Sequence, residues 1–213
     1  MREEINEELN RAPSASKCAD HDHGDLLSPM EKGEKAASLI LSMAGEDLDR
    51  EGLQRTPYRF AKAFKHLFKG YDLSPQDAVG EGVFAGEGNG LVSVENVEFY
   101  SLCEHHLLPF WGTATVAYFP NDKILGLSKI PRLIESFARR AQVQERITEQ
   151  VTEAICDLID PRACLVQIKA QHLCMMMRGV EKQSSFTLTE KVHGFDDLKS
   201  YEQQQFLSLM GRS

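Results

Sequence analysis

The sequence predicts an α+β fold in which helices come first and strands follow. Two observations carry this. Between Ser28 and Gly70, apolar residues recur at helical spacing behind Ser-Pro and Thr-Pro starts. From Leu91 the period changes to two, with Val92, Val94 and Val97 to Tyr100 in the first stretch. A third observation concerns what that fold would display. Cys103-Glu104-His105-His106 lies on a connection between two β-rich stretches, and His172-Leu173-Cys174 follows a later one.

The first helix is expected to start at Ser28-Pro29, with Ser as cap and Pro at the first position, and to run through Leu39, Ile40 and Met43 to Gly45. The second begins at Thr56-Pro57 with the same cap chemistry; Phe60, Ala63, Phe64, Leu67 and Phe68 make its apolar stripe, and Gly70 is placed to end it. Arg59 and Lys62, three apart, share a face of that helix. Five glycines between Gly80 and Gly90 read as a flexible loop, because no strand–helix context for a dinucleotide fingerprint surrounds them, and the chain has no P-loop motif. An irregularity is expected near Asn96, a second strand over Thr113–Phe119, and a turn at Pro120-Asn121-Asp122.

Ser128 is placed to cap a further helix, with Pro131 in the first turn. Lys129 and Arg132 stand three apart at that positive helix end, an arrangement that favours an anion. A long helix follows from Gln144 to Ile159 and stops at Asp160-Pro161, with Cys156 on its core side. A strand is expected from Leu165, continuing through Cys174, so that His172 and Cys174 point to one side. Ser184–Thr189 reads as the last strand and Tyr201–Met210 as a closing helix. The organisation expected is a flexible polar arm over 1–27, a helical region over 28–90 and a catalytic domain over 91–213.

Composition excludes several classes. At 213 residues, 42% hydrophobic and 26% charged, the chain has the makeup of a soluble globular protein with a sizeable core. A net charge of −8 argues against a nucleic-acid-binding surface, so an anionic ligand needs a local basic cluster. No apolar run reaches membrane-spanning length, and the acidic start is not a secretory signal. Five cysteines, an odd number at low density, fit free thiols in a reducing cytoplasm. Thiolate and imidazole are preferred zinc ligands, and two sulfurs with one nitrogen leave a tetrahedral position open, as catalytic zinc sites do. The competing reading makes the cysteines small buried hydrophobes. Cys18, His21 and His23 in the arm form a weaker metal-binding pattern on a soft backbone.

Several ordered motifs then carry a resemblance. Ser101-Leu102-Cys103-Glu104-His105-His106-Leu107-Leu108-Pro109-Phe110-Trp111-Gly112, Gly126-Leu127-Ser128-Lys129, Gln142-Val143-Gln144-Glu145-Arg146 and Ala170-Gln171-His172-Leu173-Cys174 with Arg178-Gly179 are similar to the signature of GTP cyclohydrolase I. The likeness runs from about Ser28 to the C-terminus. It implies a tunnelling fold, an antiparallel sheet with helices packed on one face, assembled as a homodecamer of two stacked pentamers with sites at subunit interfaces. The implied reaction converts GTP and water to 7,8-dihydroneopterin triphosphate and formate. The resemblance implies Zn²⁺ on Cys103, His106 and Cys174, with His105 and His172 as acid/base groups. Glu145, with Gln144 beside it, would take guanine. Ser128, Lys129, Arg132 and Arg178 would meet ribose or triphosphate, and Arg59 and Lys62 would come from a neighbouring subunit. Two rival readings are a related tunnelling-fold enzyme on another pterin or purine, and a non-catalytic zinc scaffold closed by a fourth ligand.

Overall fold

The computed structural model describes residues 27–211, in two compact units, Met1–His66 and Leu67–Ser213. The arm expected over 1–27, with Cys18, His21 and His23, lies outside the described residues apart from Leu27.

In the first unit, helix α1 spans Pro29–Met43. Ser28 caps it reciprocally: its hydroxyl accepts from Glu31 N–H, and the Glu31 carboxylate accepts from Ser28 N–H at 2.7 Å. Helix α2 spans Thr56–Leu67. Here the expected cap differs, because Thr56 is already helical and its hydroxyl donates back to Gly52 O at 3.4 Å. Leu39, Ile40 and Met43 on α1 are exposed, and so are Arg59 and Lys62 on α2.

In the second unit, the chain passes from a 3₁₀ turn at Lys69–Asp72 into a short helix α3, Pro75–Val79. Gly70 therefore does not end α2; it sits buried inside the turn, where a Cβ would come within 2.6 Å of Ser136 O. The segment expected to be a loop contains strand β1, Val83–Ala85, paired antiparallel with β4, Lys123–Leu125. The main sheet joins β2 (Val92–Cys103), β3 (Pro109–Phe119), β5 (Ala141–Gln142), β6 (Ala163–His172) and β7 (Thr187–His193) in the order β5-β2-β3-β6-β7. All neighbours are antiparallel except the two-residue β5 beside β2. The irregularity at Asn96 is a bulge between Val94 and Val97, with Asn96 at φ 58°. Gly112 lets β3 approach β6, since a Cβ there would meet Lys169 O at 1.9 Å.

Strand alternation sorts the core into two layers. Phe110, Ala114, Val116 and Tyr118 of β3, with Cys164, Val166, Ile168 and Ala170 of β6, face helices α4 (Lys129–Ala138) and α5 (Gln144–Ile159). Ala117, Phe119, Ala163 and Leu165 point the other way, onto Phe206 and Leu209 of the closing helix α7, Ser200–Met210. Each fully buried Phe or Leu contributes about 1.5–3 kcal/mol, so α4 and α5 are anchored far more firmly than a polar surface helix would be. Ser128 occupies the N-cap position of α4, but its side chain makes no capping hydrogen bond.

Two expectations at the far end of β6 change. The strand stops at His172, and Leu173–Met176 forms a single helical turn, α6, so Cys174 is not a strand residue. The last strand is Thr187–His193 rather than Ser184–Thr189.

Candidate active site

Two sheet registers and one helical turn converge at one end of the second unit. The parallel pairing of β2 with β5 sets Cys103 against Gln142, so the start of α5 lies beside the loop that follows Cys103. The antiparallel pairing of β3 with β6 sets His172 opposite Phe110. The turn α6 then carries Cys174 to the same place, a contact that strand alternation alone did not predict.

The loop Cys103–Leu108 is a tight hydrogen-bonded turn. Cys103 N–H donates to Leu108 O at 2.9 Å, and Leu107 N–H donates to Cys103 O at 2.7 Å. Leu107 closes it in the left-handed region at φ 53°, a conformation a side-chain-bearing residue adopts at a cost. This turn presents Cys103, His105 and His106 together. Cys103 Sγ lies 3.8 Å from His105 Nδ1 and 4.0 Å from His106 Nδ1.

Cys103, His106 and Cys174 each offer a ligand atom, and these atoms lie within 4.8 Å of one another. A tetrahedral zinc ion holds its sulfur and nitrogen ligands roughly 3.5–3.8 Å apart, so the donor set fits that ion with small adjustment. Its chemistry fits as well. Burial, and then the neighbouring Cys103, push the Cys174 thiol above its ordinary range, with Arg178 opposing. A cation bound beside Cys174 would offset that penalty and favour its thiolate. Burial of the three runs from buried Cys103 through half-buried Cys174 to exposed His106, so one side of the cluster is open.

His172 stacks on Phe110, with ring centroids 4.6 Å apart and planes 3° from parallel. Its Nε2 lies 2.8 Å from Gln144 Oε1. Burial depresses its basicity, and the Glu145 carboxylate partly opposes that. Glu145 itself is exposed beside the open side, while Gln144 is only 1% exposed. Gln144 was expected to stand beside Glu145 toward substrate; its amide instead points inward, to Ile168 O, Thr187 O and Thr189 Oγ1.

Glu104 holds the Cys103–Leu108 turn to α5. Its carboxylate pairs with both terminal nitrogens of Arg146, one at 3.1 Å, and its N–H donates to Gln142 O at 3.0 Å. The Arg146 hydrogen bond keeps Glu104 below the usual carboxylate range. Arg178 Nη1 reaches His106 Nε2 at 2.9 Å. Ser128, Lys129 and Arg132 gather at the start of α4, where Lys129 lies across Gly82. Among the described residues, none of the three is hydrogen-bonded or ion-paired to the cysteine–histidine cluster. Arg59 and Lys62 belong to the first unit.

Sequence reasoning gave no role to Phe110, Glu104 or Arg146. Phe110 was present in the quoted motif, but its stacking depends on the β3–β6 register. Arg146 and Glu104 are 42 residues apart, so no local spacing links them.

The family profile described as GTP cyclohydrolase I matches residues 33–211 of the chain. The GTP cyclohydrolase 1 of Deinococcus radiodurans is 51% identical over 168 residues, covering 79% of this chain and 78% of that protein. This chain belongs to the GTP cyclohydrolase I family. The Leptospira biflexa GTP cyclohydrolase 1 is 50% identical over 171 residues, 80% of this chain and 93% of its own. That of Chlorobaculum tepidum is 44% identical over 194 residues, 91% of this chain and 87% of its own. Family membership accords with the α+β architecture and with helices α4 and α5 laid on the sheet.

Proposed function

We propose that the chain is a zinc-dependent GTP cyclohydrolase, opening the imidazole ring of guanine in GTP, releasing formate and yielding 7,8-dihydroneopterin triphosphate. The observation that carries this reading is the three-ligand cluster Cys103, His106 and Cys174, open on one side, in a chain of that family. When bound there, zinc would supply the Lewis acidity that makes water a nucleophile near neutral pH.

The chain's own residues then have distinct tasks. His105, on the same turn as two ligands, is placed to move a proton at the ring being opened; His172 serves as the second proton carrier. Glu145 accepts the N1–H and 2-amino protons of guanine, a pair of parallel bonds that adenine does not offer. Gln144 contributes from beneath, through His172. Ser128, Lys129, Arg132 and Arg178 receive the ribose and triphosphate, and Arg59 and Lys62 do so from another copy of the chain.

Arg178 has a second aspect. A guanidinium only donates, so its contact with His106 requires Nε2 to accept and Nδ1 to hold the ring proton. A metal ligand at Nδ1 must be deprotonated there, which turns Nε2 into a donor. Metal held at Nδ1 would therefore leave Arg178 available to an anionic phosphate.

Homo-oligomeric assembly is supported by exposed Leu39, Ile40 and Met43 on α1, and by exposed Phe186 and Leu188 beside and on the edge strand β7; two stacked pentamers is the arrangement that the sequence resemblance implies. A cytoplasmic location agrees with the four described cysteines, all of them free. Among the described residues, no helix is long and apolar enough to cross a membrane.

The deciding experiment incubates the protein with GTP, with and without a zinc chelator, and measures formate and a fluorescent pterin after oxidation. Both products should appear and both should vanish with the chelator. Ring-intact GTP in the zinc-loaded reaction would reject the reading.

A further inference from the structure

We infer that Gln144 fixes the tautomer of His172, keeping the ring proton on Nε2 and leaving Nδ1 as the acceptor nitrogen. Any use of Nδ1 in turnover rests on the cyclohydrolase reading; the tautomer itself rests on geometry alone.

Gln144 Nε2 lies 2.9 Å from Ile168 O, 3.1 Å from Thr187 O and 3.1 Å from Thr189 Oγ1. Two of these partners are backbone carbonyls, which only accept. The amide is therefore oriented with its NH₂ toward the strands. The reverse orientation would set its carbonyl oxygen against two others. The hydroxyls complete the set. Thr148 donates to Gln144 O at 3.0 Å, so the 2.6 Å contact between the two threonines has Thr189 donating to Thr148, and Thr189 is left to accept from the amide.

With the NH₂ so committed, Gln144 Oε1 is an acceptor facing His172 Nε2 at 2.8 Å. Two acceptors at that distance repel, so Nε2 carries a proton. Stacking on fully buried Phe110 fixes the ring plane, and a 180° flip within that plane would set Cε1 against the Gln144 oxygen and lose the hydrogen bond. Among the described residues, Nδ1 has no hydrogen-bond partner within the chain. Gln144 is thus a positioning residue, acting through His172 rather than on substrate. The sheet, through the Ile168 and Thr187 carbonyls, is what positions Gln144.

The test reads the tautomer directly. The full chain, labelled with ¹⁵N at histidine, is compared zinc-loaded and metal-free by long-range ¹H–¹⁵N correlation, with His172 assigned from the signals missing in His172→Gln. A single Nε2-protonated ring in both states is expected. An Nδ1-protonated ring, or an average of the two forms, overturns the inference, and this needs no variant at position 144. Gln144→Leu should convert the single form into an average and lower kcat by about 10–100-fold, the range for losing a group that orients a site histidine, with zinc content unchanged. A folded Gln144→Leu protein that keeps one Nε2 tautomer also overturns it. A wild-type protein with the expected tautomer that releases no formate would reject the cyclohydrolase reading and leave the tautomer standing.

Discussion

The second unit contains two pairs of neighbouring cysteines, and only one pair is suited to a metal. Cys156 on α5 and Cys164 on β6 meet in the core, with Cys164 fully buried and no histidine among the contacts that shift them. Hydrogen bonding to Cys156, and then burial, push the Cys164 thiol well above its ordinary range. Cys103 and Cys174 meet at the sheet end, beside two imidazoles and a guanidinium. The residue type is the same; the difference is the company. A thiol surrounded by hydrocarbon stays protonated and packs, whereas one held near an imidazole with an open side can lose its proton to solvent and bind a cation as thiolate.

The same substitution in each pair breaks the comparison most sharply. Cys174→Ser should lose most bound zinc and lower formate release by more than about 100-fold, beyond the usual cost of disturbing a ligand's support; metal analysis and a turnover assay on one preparation measure both. His105→Ala should keep its zinc while kcat falls about 10²–10⁴-fold, the range for a lost proton carrier. Glu145→Gln should leave thermal stability unchanged, because the side chain is exposed, and cut kcat/KM for GTP by roughly 10–100-fold, the loss of one charged hydrogen bond. Cys164→Ser should leave zinc content and kcat at wild-type values and reduce stability by about 1–3 kcal/mol, through a buried hydroxyl short of partners. Zinc loss in Cys164→Ser would erase the distinction between the pairs.

The smallest expected effect concerns acid. Glu104 has its folded pKa depressed by Arg146. Its pairing therefore stabilises the protein above the ordinary Glu range, and that contribution disappears as pH falls through the lowered folded value. Both partners are about one-third exposed, so the contribution is under about 1 kcal/mol. Denaturant midpoints of wild type and Arg146→Met should differ at neutral pH and converge in acid.

What the sequence disclosed depended on the range of each signal. The helices at Ser28-Pro29 and Gln144–Ile159, and the irregularity at Asn96, rest on neighbours within a few residues, and they were legible. The convergence of Cys103, His106 and Cys174, a group that could hold a metal, was legible because thiols and imidazoles are sparse and clustered. The end of β6 was not, since Leu-Cys-Met-Met is apolar at every position and suits a strand or a helical turn equally. Short β1 was hidden by glycines, its partner β4 lying some 40 residues on. Gln144 is placed by the resemblance beside Glu145, toward guanine. Its burial is decided by carbonyls of β6 and β7, which no local pattern announces.

The left-handed Leu107 has a further consequence. Because folding already bends Cys103–Leu108 into a tight turn, an arriving ion would meet a ready-made chelate claw instead of a floppy hexapeptide that must be gathered around it. Leu107→Gly would relax the backbone while slackening that claw. It should therefore melt no earlier, yet surrender its ion to a competing chelator sooner.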